Sequence, residues 1–250
     1  VDFLLSEKNV QAPGTTPPYT PPARTISGPQ TAPQAYSVDL AEVQTIAAAA
    51  AAWKQRGDDV PGSLLIFYFC GHGISAGTDY ALVARDYGAN PPGKPFHGLI
   101  DFTEFLVGMS DCKSVQQVYF VDACRSTSEA LITARNYKGD ELVQAAGDAT
   151  KGLQQCVYYS TLGGQPAHAR PNEPSLFTDA LVKSFRGPGA ANSNGSWRIN
   201  TIRLIEAIAH FMDALLDPST PSVQVPQSGG QTRYDLHHLS GNPKVPINVP

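Results

Sequence analysis

Unbroken apolar runs alternate along this chain with stretches of helical periodicity. The first run, Leu64-Leu65-Ile66-Phe67-Tyr68-Phe69-Cys70, ends at Gly71-His72-Gly73, and the second, Val118-Tyr119-Phe120-Val121, ends at Asp122-Ala123-Cys124-Arg125-Ser126. A third, Cys156-Val157-Tyr158-Tyr159-Ser160, passes into Thr161-Leu162-Gly163-Gly164-Gln165. Continuous apolar runs of this length predict strands buried on both faces, the pattern of parallel sheets. Between and after them the apolar spacing is helical. Leu40, Val43, Ile46, Ala47, Ala50 and Trp53 form one stripe, with Asp39 as N-cap and Glu42 completing a capping box. Asp101 and Glu104 repeat that logic before Phe102, Phe105, Leu106 and Met109. Ser175 caps a helix with Leu176, Phe177, Ala180 and Leu181 turned inward, and Asn200 caps one striped by Ile202, Ile205, Ala209, Met212, Leu215 and Leu216. Strands alternating with helices predict a three-layer α/β/α sandwich around a mostly parallel central sheet.

Punctuation sets the boundaries. Residues 1–38 open on the short apolar run Val1–Leu5, a candidate strand, and continue with seven prolines among Thr, Ser and Gly, which predicts an extended loop. Residues 39–240 carry the periodic elements and form the expected domain; 241–250 read as a tail or linker. Tyr80–Ala84 predicts a short strand closing on Arg85-Asp86, with Asp86 structural, and His97 falls in a proline-rich loop as a surface histidine. The polar segment 125–155 reads as a long loop, Gly187–Ser196 as a disordered one, and Tyr234-Asp235-Leu236 as the last strand at the sheet edge. His237 and His238, adjacent on a strand, face opposite ways and predict no metal pair.

Length and composition suit one full core: 250 residues, 42% hydrophobic and 16% charged. A net charge of −4 gives no hint of nucleic acid or anionic membrane as partner. Four cysteines without a CxxC pair or metal-ligand spacing predict free thiols, a reducing cytoplasmic setting and no metal or other cofactor. No run approaches the roughly 20 apolar residues of a membrane span. The sequence begins at Val1, which predicts a piece of a longer protein, with a further domain or partner outside it.

The chemistry lies where the first two runs end. In an open α/β sheet, ligands bind beyond the carboxyl ends of the strands. His72 and Cys124 would therefore be carried into one cleft, a thiol beside an imidazole able to take its proton. Asp122, two residues before Cys124, shares its sheet face. Ser160 and Gln165, at the end of the third run, are candidate borders of the same cleft.

His72-Gly73 and Asp122-Ala123-Cys124-Arg125, 52 residues apart from His to Cys, resemble the caspase-like cysteine peptidases, where about 50 is expected. This superfamily includes the metacaspases and many bacterial members. Asp122 replaces the Gln of animal caspases, as in metacaspases, and Ser126 replaces their Gly. Ser175-Leu176-Phe177-Thr178-Asp179-Ala180-Leu181 resembles the family's Ser-x-Phe-Thr-x-Ala-Leu helix. The resemblance implies a cysteine endopeptidase acting on protein or peptide through a thioester, with Cys124 as nucleophile and His72 as general base and acid. It implies an oxyanion hole from the backbones of Gly73 and Cys124, and leaves 125–155 either self-cleaved, with Arg135, Lys138 and Lys151 as the suitable positions, or an uncut solvated loop. It also implies an opening strand and helix before residue 39, expected upstream of Val1. Asp122 would then select Arg or Lys before the scissile bond, or else only hydrogen-bond the turn. A catalytically silent scaffold of the same fold, or a thiol hydrolase of non-peptide acyl groups, are the other readings.

Overall fold

The computed structural model describes residues 40–76, 79–89, 91–127, 139–168, 173–216, 224–230 and 232–243. The expected strand and proline-rich loop of 1–38, Asp39, the candidate cleavage positions Arg135 and Lys138, and most of the 241–250 tail lie outside them. In chain order the elements are α1 (Val43–Asp59), β1 (Leu64–Ala76), β2 (Asp79–Val83), β3 (Leu99–Asp101), α2 (Phe102–Gly108), β4 (Gln116–Ala123) and β5 (Ser126–Thr127). There follow β6 (Gln154–Tyr159), α3 (Leu176–Phe185), β7 (Ala190–Ser193), β8 (Ser196–Asn200), α4 (Thr201–Leu215), β9 (Gln227–Gly229) and β10 (Asp235–His238).

The main sheet has the order β3-β2-β1-β4-β6-β9. Its centre, β1-β4-β6, is parallel; β2 and β9 run against it, and the outer strand β3, antiparallel to β2, runs with it. The sheet is thus mixed about a parallel core. Alternation divides the core strands between two hydrophobic layers. Leu65, Phe67, Tyr119 and Val121 pack with Trp53 of α1 and Phe102 and Phe105 of α2. Val118, Phe120, Cys156 and Tyr158 pack on Phe177, Ala180 and Leu181 of α3 and Leu204 and Ile208 of α4. These are the three layers predicted.

Four local expectations change. The first helix begins at Val43, not Leu40, and Glu42 at its N-cap makes no side-chain cap bond. Its first amide instead donates to both carboxylate oxygens of Asp86, at 3.2 and 3.3 Å, a cap supplied from 43 residues away, so Asp86 is structural as expected. Residues 187–196 are not a structureless loop. Asn194 and Gly195 adopt left-handed φ values of 52° and 79°, the geometry an Asn-Gly hairpin turn demands, and they join β7 to β8. Residues 235–238 do not edge the main sheet either. They pair with β8 in a separate three-stranded sheet, and the main edge is β9 on β6. His97 is not a free surface side chain: its Nε2 and Nδ1 lie 3.0 Å from Asp86 and 3.0 Å from Asp140.

Candidate active site

β1 does not stop at His72 but runs on to Ala76, changing partners as it goes. From Leu64 to Gly71 it pairs with β4, and from His72 to Ala76 with the hairpin strand β2, while Ile74 and Ser75 also meet β5. The register against the β4–β5 segment is constant. Gly71 stands beside Ala123 and Ile74 beside Ser126, so His72 is level with Cys124 and shares its side of the ladder. His72 is exposed and Cys124 half-buried. Both lie at the carboxyl end of the parallel core.

Gly73 is buried directly behind Cys124. A β-carbon there would lie 2.3 Å from the Tyr80 hydroxyl and 2.5 Å from the Cys124 carbonyl oxygen. Tyr80 itself donates to that carbonyl at 3.0 Å. Burial pushes its phenol up from its ordinary value, against the pull of the Arg125 charge, so it remains a donor. The Arg125 guanidinium lies 4.2 Å from the centre of the Tyr159 ring and 5.5 Å from that of Tyr80, and this cation–π stack fixes the residue after Cys124.

The segment leaving β6 folds over the thiol. Gly164 donates to the Arg125 carbonyl at 2.9 Å and the Arg125 amide donates to the Gln165 carbonyl at 3.0 Å. Two residues on, the Ala167 N–H points at the Cys124 Sγ from 3.2 Å. His168 is tied by its amide to Gln224 at 2.9 Å, and Gln224 in turn donates to the Ser160 carbonyl. Gln165 thus reaches the site through its backbone, its side chain exposed. Ser160 does not border open space: it is fully buried, and its hydroxyl bonds the Ala123 amide and carbonyl. It braces the strand beneath Cys124.

Asp122, on the α3 face as its parity requires, is only 4% exposed. Its Oδ2 accepts from the hydroxyls of Ser175 and Thr178, the latter at 2.5 Å, and weakly from the Cys70 thiol at 3.9 Å. Thr178 Oγ1 also meets the Tyr68 hydroxyl at 2.6 Å. Burial raises the Tyr68 phenol above its ordinary value, and burial followed by the Asp122 charge raises the Cys70 thiol. Among the described residues no Lys, Arg or His forms an ion pair with Asp122. Sequence reasoning missed Tyr68 and Cys70, although counting back by twos from His72 puts both on its face. It gave Ser175 to the helix cap alone and Thr178 no role beyond the helix motif, and no sequence signal pointed to Tyr80, Ala167 or Gln224.

All four cysteines are free, and no cluster of metal-binding side chains occurs among the described residues. No described helix is long and apolar enough to cross a membrane.

In the comparison with known families, the caspase domain matches residues 34–211. The chain belongs to the caspase domain family. Among curated proteins it is 28% identical over 206 residues to the uncharacterized protein y4kE of Sinorhizobium fredii, covering 79% of this chain. The match spans 58% of that relative's length. Among solved structures it is similar to caspase-1 from Spodoptera frugiperda, with a TM-score of 0.47 at 13% identity over 76% of this chain and 69% of that one.

Proposed function

We propose that this chain is a cysteine endopeptidase that cuts protein or peptide substrates after Arg or Lys. The observation that carries the reading is the equal offset of the β1–β4 and β1–β5 pairings, which brackets His72 and Cys124 between Gly71 beside Ala123 and Ile74 beside Ser126. On this reading the Cys124 sulfur, its proton taken by His72, attacks the scissile carbonyl carbon. The carbonyl oxygen becomes an oxyanion, held by the backbone amides of Gly73 and Cys124; one such donor is worth roughly 3 kcal/mol. His72 then protonates the departing amine, leaving a thioester. Water activated by His72 adds to the thioester, and the carboxylate product leaves the thiol.

Basic selectivity follows from Asp122. A buried charge is normally paired, and this carboxylate has only neutral donors among the described residues. A guanidinium or ammonium of the substrate supplies the missing countercharge, whereas an acidic side chain is repelled. No cofactor is invoked, and free thiols suit a reducing compartment such as the cytoplasm. The covered sulfur describes a resting state: a substrate has to displace the 162–168 segment to reach it.

The test combines labelling with substrate choice. A peptidyl electrophile carrying Arg or Lys should label Cys124 and fail to label the His72→Ala variant. Peptides differing only before the scissile bond should be cut after Arg and Lys and spared after Asp. Labelling that survives loss of His72, or cleavage after Asp, overturns the proposal in favour of a silent scaffold or a different specificity.

A further inference from the structure

The Asp122 carboxylate is loaded unevenly. Ser175 and Thr178 both give their hydroxyl protons to Oδ2, the oxygen the Cys70 thiol also approaches, and Oδ1 receives none of these bonds. Each carboxylate oxygen has about two lone-pair sites, so two hydroxyl donors fill Oδ2. The arrangement is tethered from outside. Thr178 has one proton and spends it on Asp122, so the 2.6 Å contact with Tyr68 requires the phenol to donate to Thr178. Tyr68, Thr178 and Asp122 therefore form a one-way chain of donors. It begins at a side chain 44% exposed and ends on a carboxylate 4% exposed.

We infer that Thr178 is a positioning residue that sets the choice between Arg and Lys by keeping one oxygen of Asp122 occupied. The inference rests on the proposed basic specificity and refines it. An Arg guanidinium owes its usual advantage over Lys to a planar fork that engages both carboxylate oxygens at once. With Oδ2 filled, a guest bonds Oδ1 alone. An ammonium, a point donor, loses nothing by this, while a guanidinium loses its second parallel bond. Cys70, level with Asp122 on β1, lies on the same side and adds a further neutral donor rather than a second charge. The pocket thus accepts Lys and Arg comparably.

The experiment compares kcat/KM for two peptides identical except for Arg or Lys before the scissile bond. The intact chain should cut both within about threefold of each other. Thr178→Val, of nearly the same shape, frees a lone pair on Oδ2, and the Arg-to-Lys ratio should rise on the order of tenfold, the usual worth of one added charge-assisted hydrogen bond. Thr178→Ser keeps the hydroxyl and should restore the original ratio. Tyr68→Phe, at a half-exposed position that leaves the core intact, should move the ratio the same way by a smaller factor; it decides the matter if Thr178→Val does not fold. A strong Arg preference in the intact chain, or a ratio unmoved by the substitutions, overturns the inference while leaving basic specificity standing. Cleavage after neither residue overturns the basic specificity itself, and this inference with it.

Discussion

The backbone N–H of Ala167 points at the Cys124 sulfur from 3.2 Å. The strap that holds it there is short and anchored at both ends, by Arg125 on one side and by Gln224 through His168 on the other. Gln224 is 1% exposed and also bonds the Ser160 carbonyl, so it is the strut of the strap. Replacing it with Ala leaves the His168 amide and the Ser160 carbonyl without that partner, at about 1–3 kcal/mol of local stability. Cys124 should then react with iodoacetamide faster than in the intact protein, read by mass spectrometry of the peptide containing it. Equal rates would show that the strap does not guard the thiol.

Gly73 is where packing alone forbids a side chain. Two of the atoms a β-carbon would meet are the Tyr80 hydroxyl oxygen and the Cys124 carbonyl oxygen, both inside 3 Å. The carbonyl belongs to the backbone and cannot swing away as a long side chain would. Gly73→Ala is therefore expected to displace the backbone of Cys124 and cut peptidase turnover by at least about a hundredfold, the scale set by loss of one oxyanion donor. Circular dichroism should still report a folded sheet. Tyr80→Phe removes only the bond to the Cys124 carbonyl and should cost stability, about 1 kcal/mol, more than it costs turnover. An active Gly73→Ala variant would remove Gly73 from the site.

Much of this could be read from the chain because the strongest signals are local. Three apolar runs became the parallel centre of the sheet, and Ser175, Asp101 and Asn200 cap their helices as their sequences predict. Even the 52-residue spacing of His72 and Cys124 equals the offset at which β1 pairs with β4 before Cys124 and with β5 after it. What was not legible depends on partners distant in sequence. Asp86 caps α1 from another loop, Gln224 ties down the strap from beyond α4, and Tyr80 reaches Cys124 because β2 folds back on β1. The β7–β8 hairpin is a different case. Its Asn194-Gly195 signature was present in the sequence, and the polar composition around it obscured the turn.

His97 joins three segments that periodicity treats separately. Its two ring nitrogens lie 3.0 Å from Asp86, which caps α1, and 3.0 Å from Asp140. Asp140 in turn accepts the Gly98 amide and bridges to Ile100 of β3. Without the imidazole the two carboxylates lose a shared partner. His97→Ala should lower stability by about 1–3 kcal/mol, measured as a shift in the urea midpoint at unchanged slope. Limited proteolysis should begin near residue 140 earlier than in the intact protein. A midpoint that does not move would mean that the backbone bonds of Asp140 suffice without the ring.

Acid stability should depend on Asp111. Burial by itself would push this carboxyl up, but the Lys54 ammonium 2.7 Å away and the N–H groups of Ala146 and Gly147 outweigh it and hold the group below its ordinary range. A carboxyl depressed in the folded state stabilises the fold above its unfolded value, near 3.9, and that contribution fades as pH falls through the folded value. Both partners are largely shielded from solvent, at 15% and 10% side-chain exposure, so solvent screening removes little of it. Asp111→Asn should therefore lower stability at neutral pH. The gap to the intact protein should start to narrow as pH falls below the unfolded value near 3.9 and close only as pH passes the lower folded value, where the native carboxyl itself takes a proton. Urea titrations at pH 7, 5 and 3 measure this directly. A variant equally destabilised at all three would mean that Asp111 acts through shape and hydrogen bonding rather than charge.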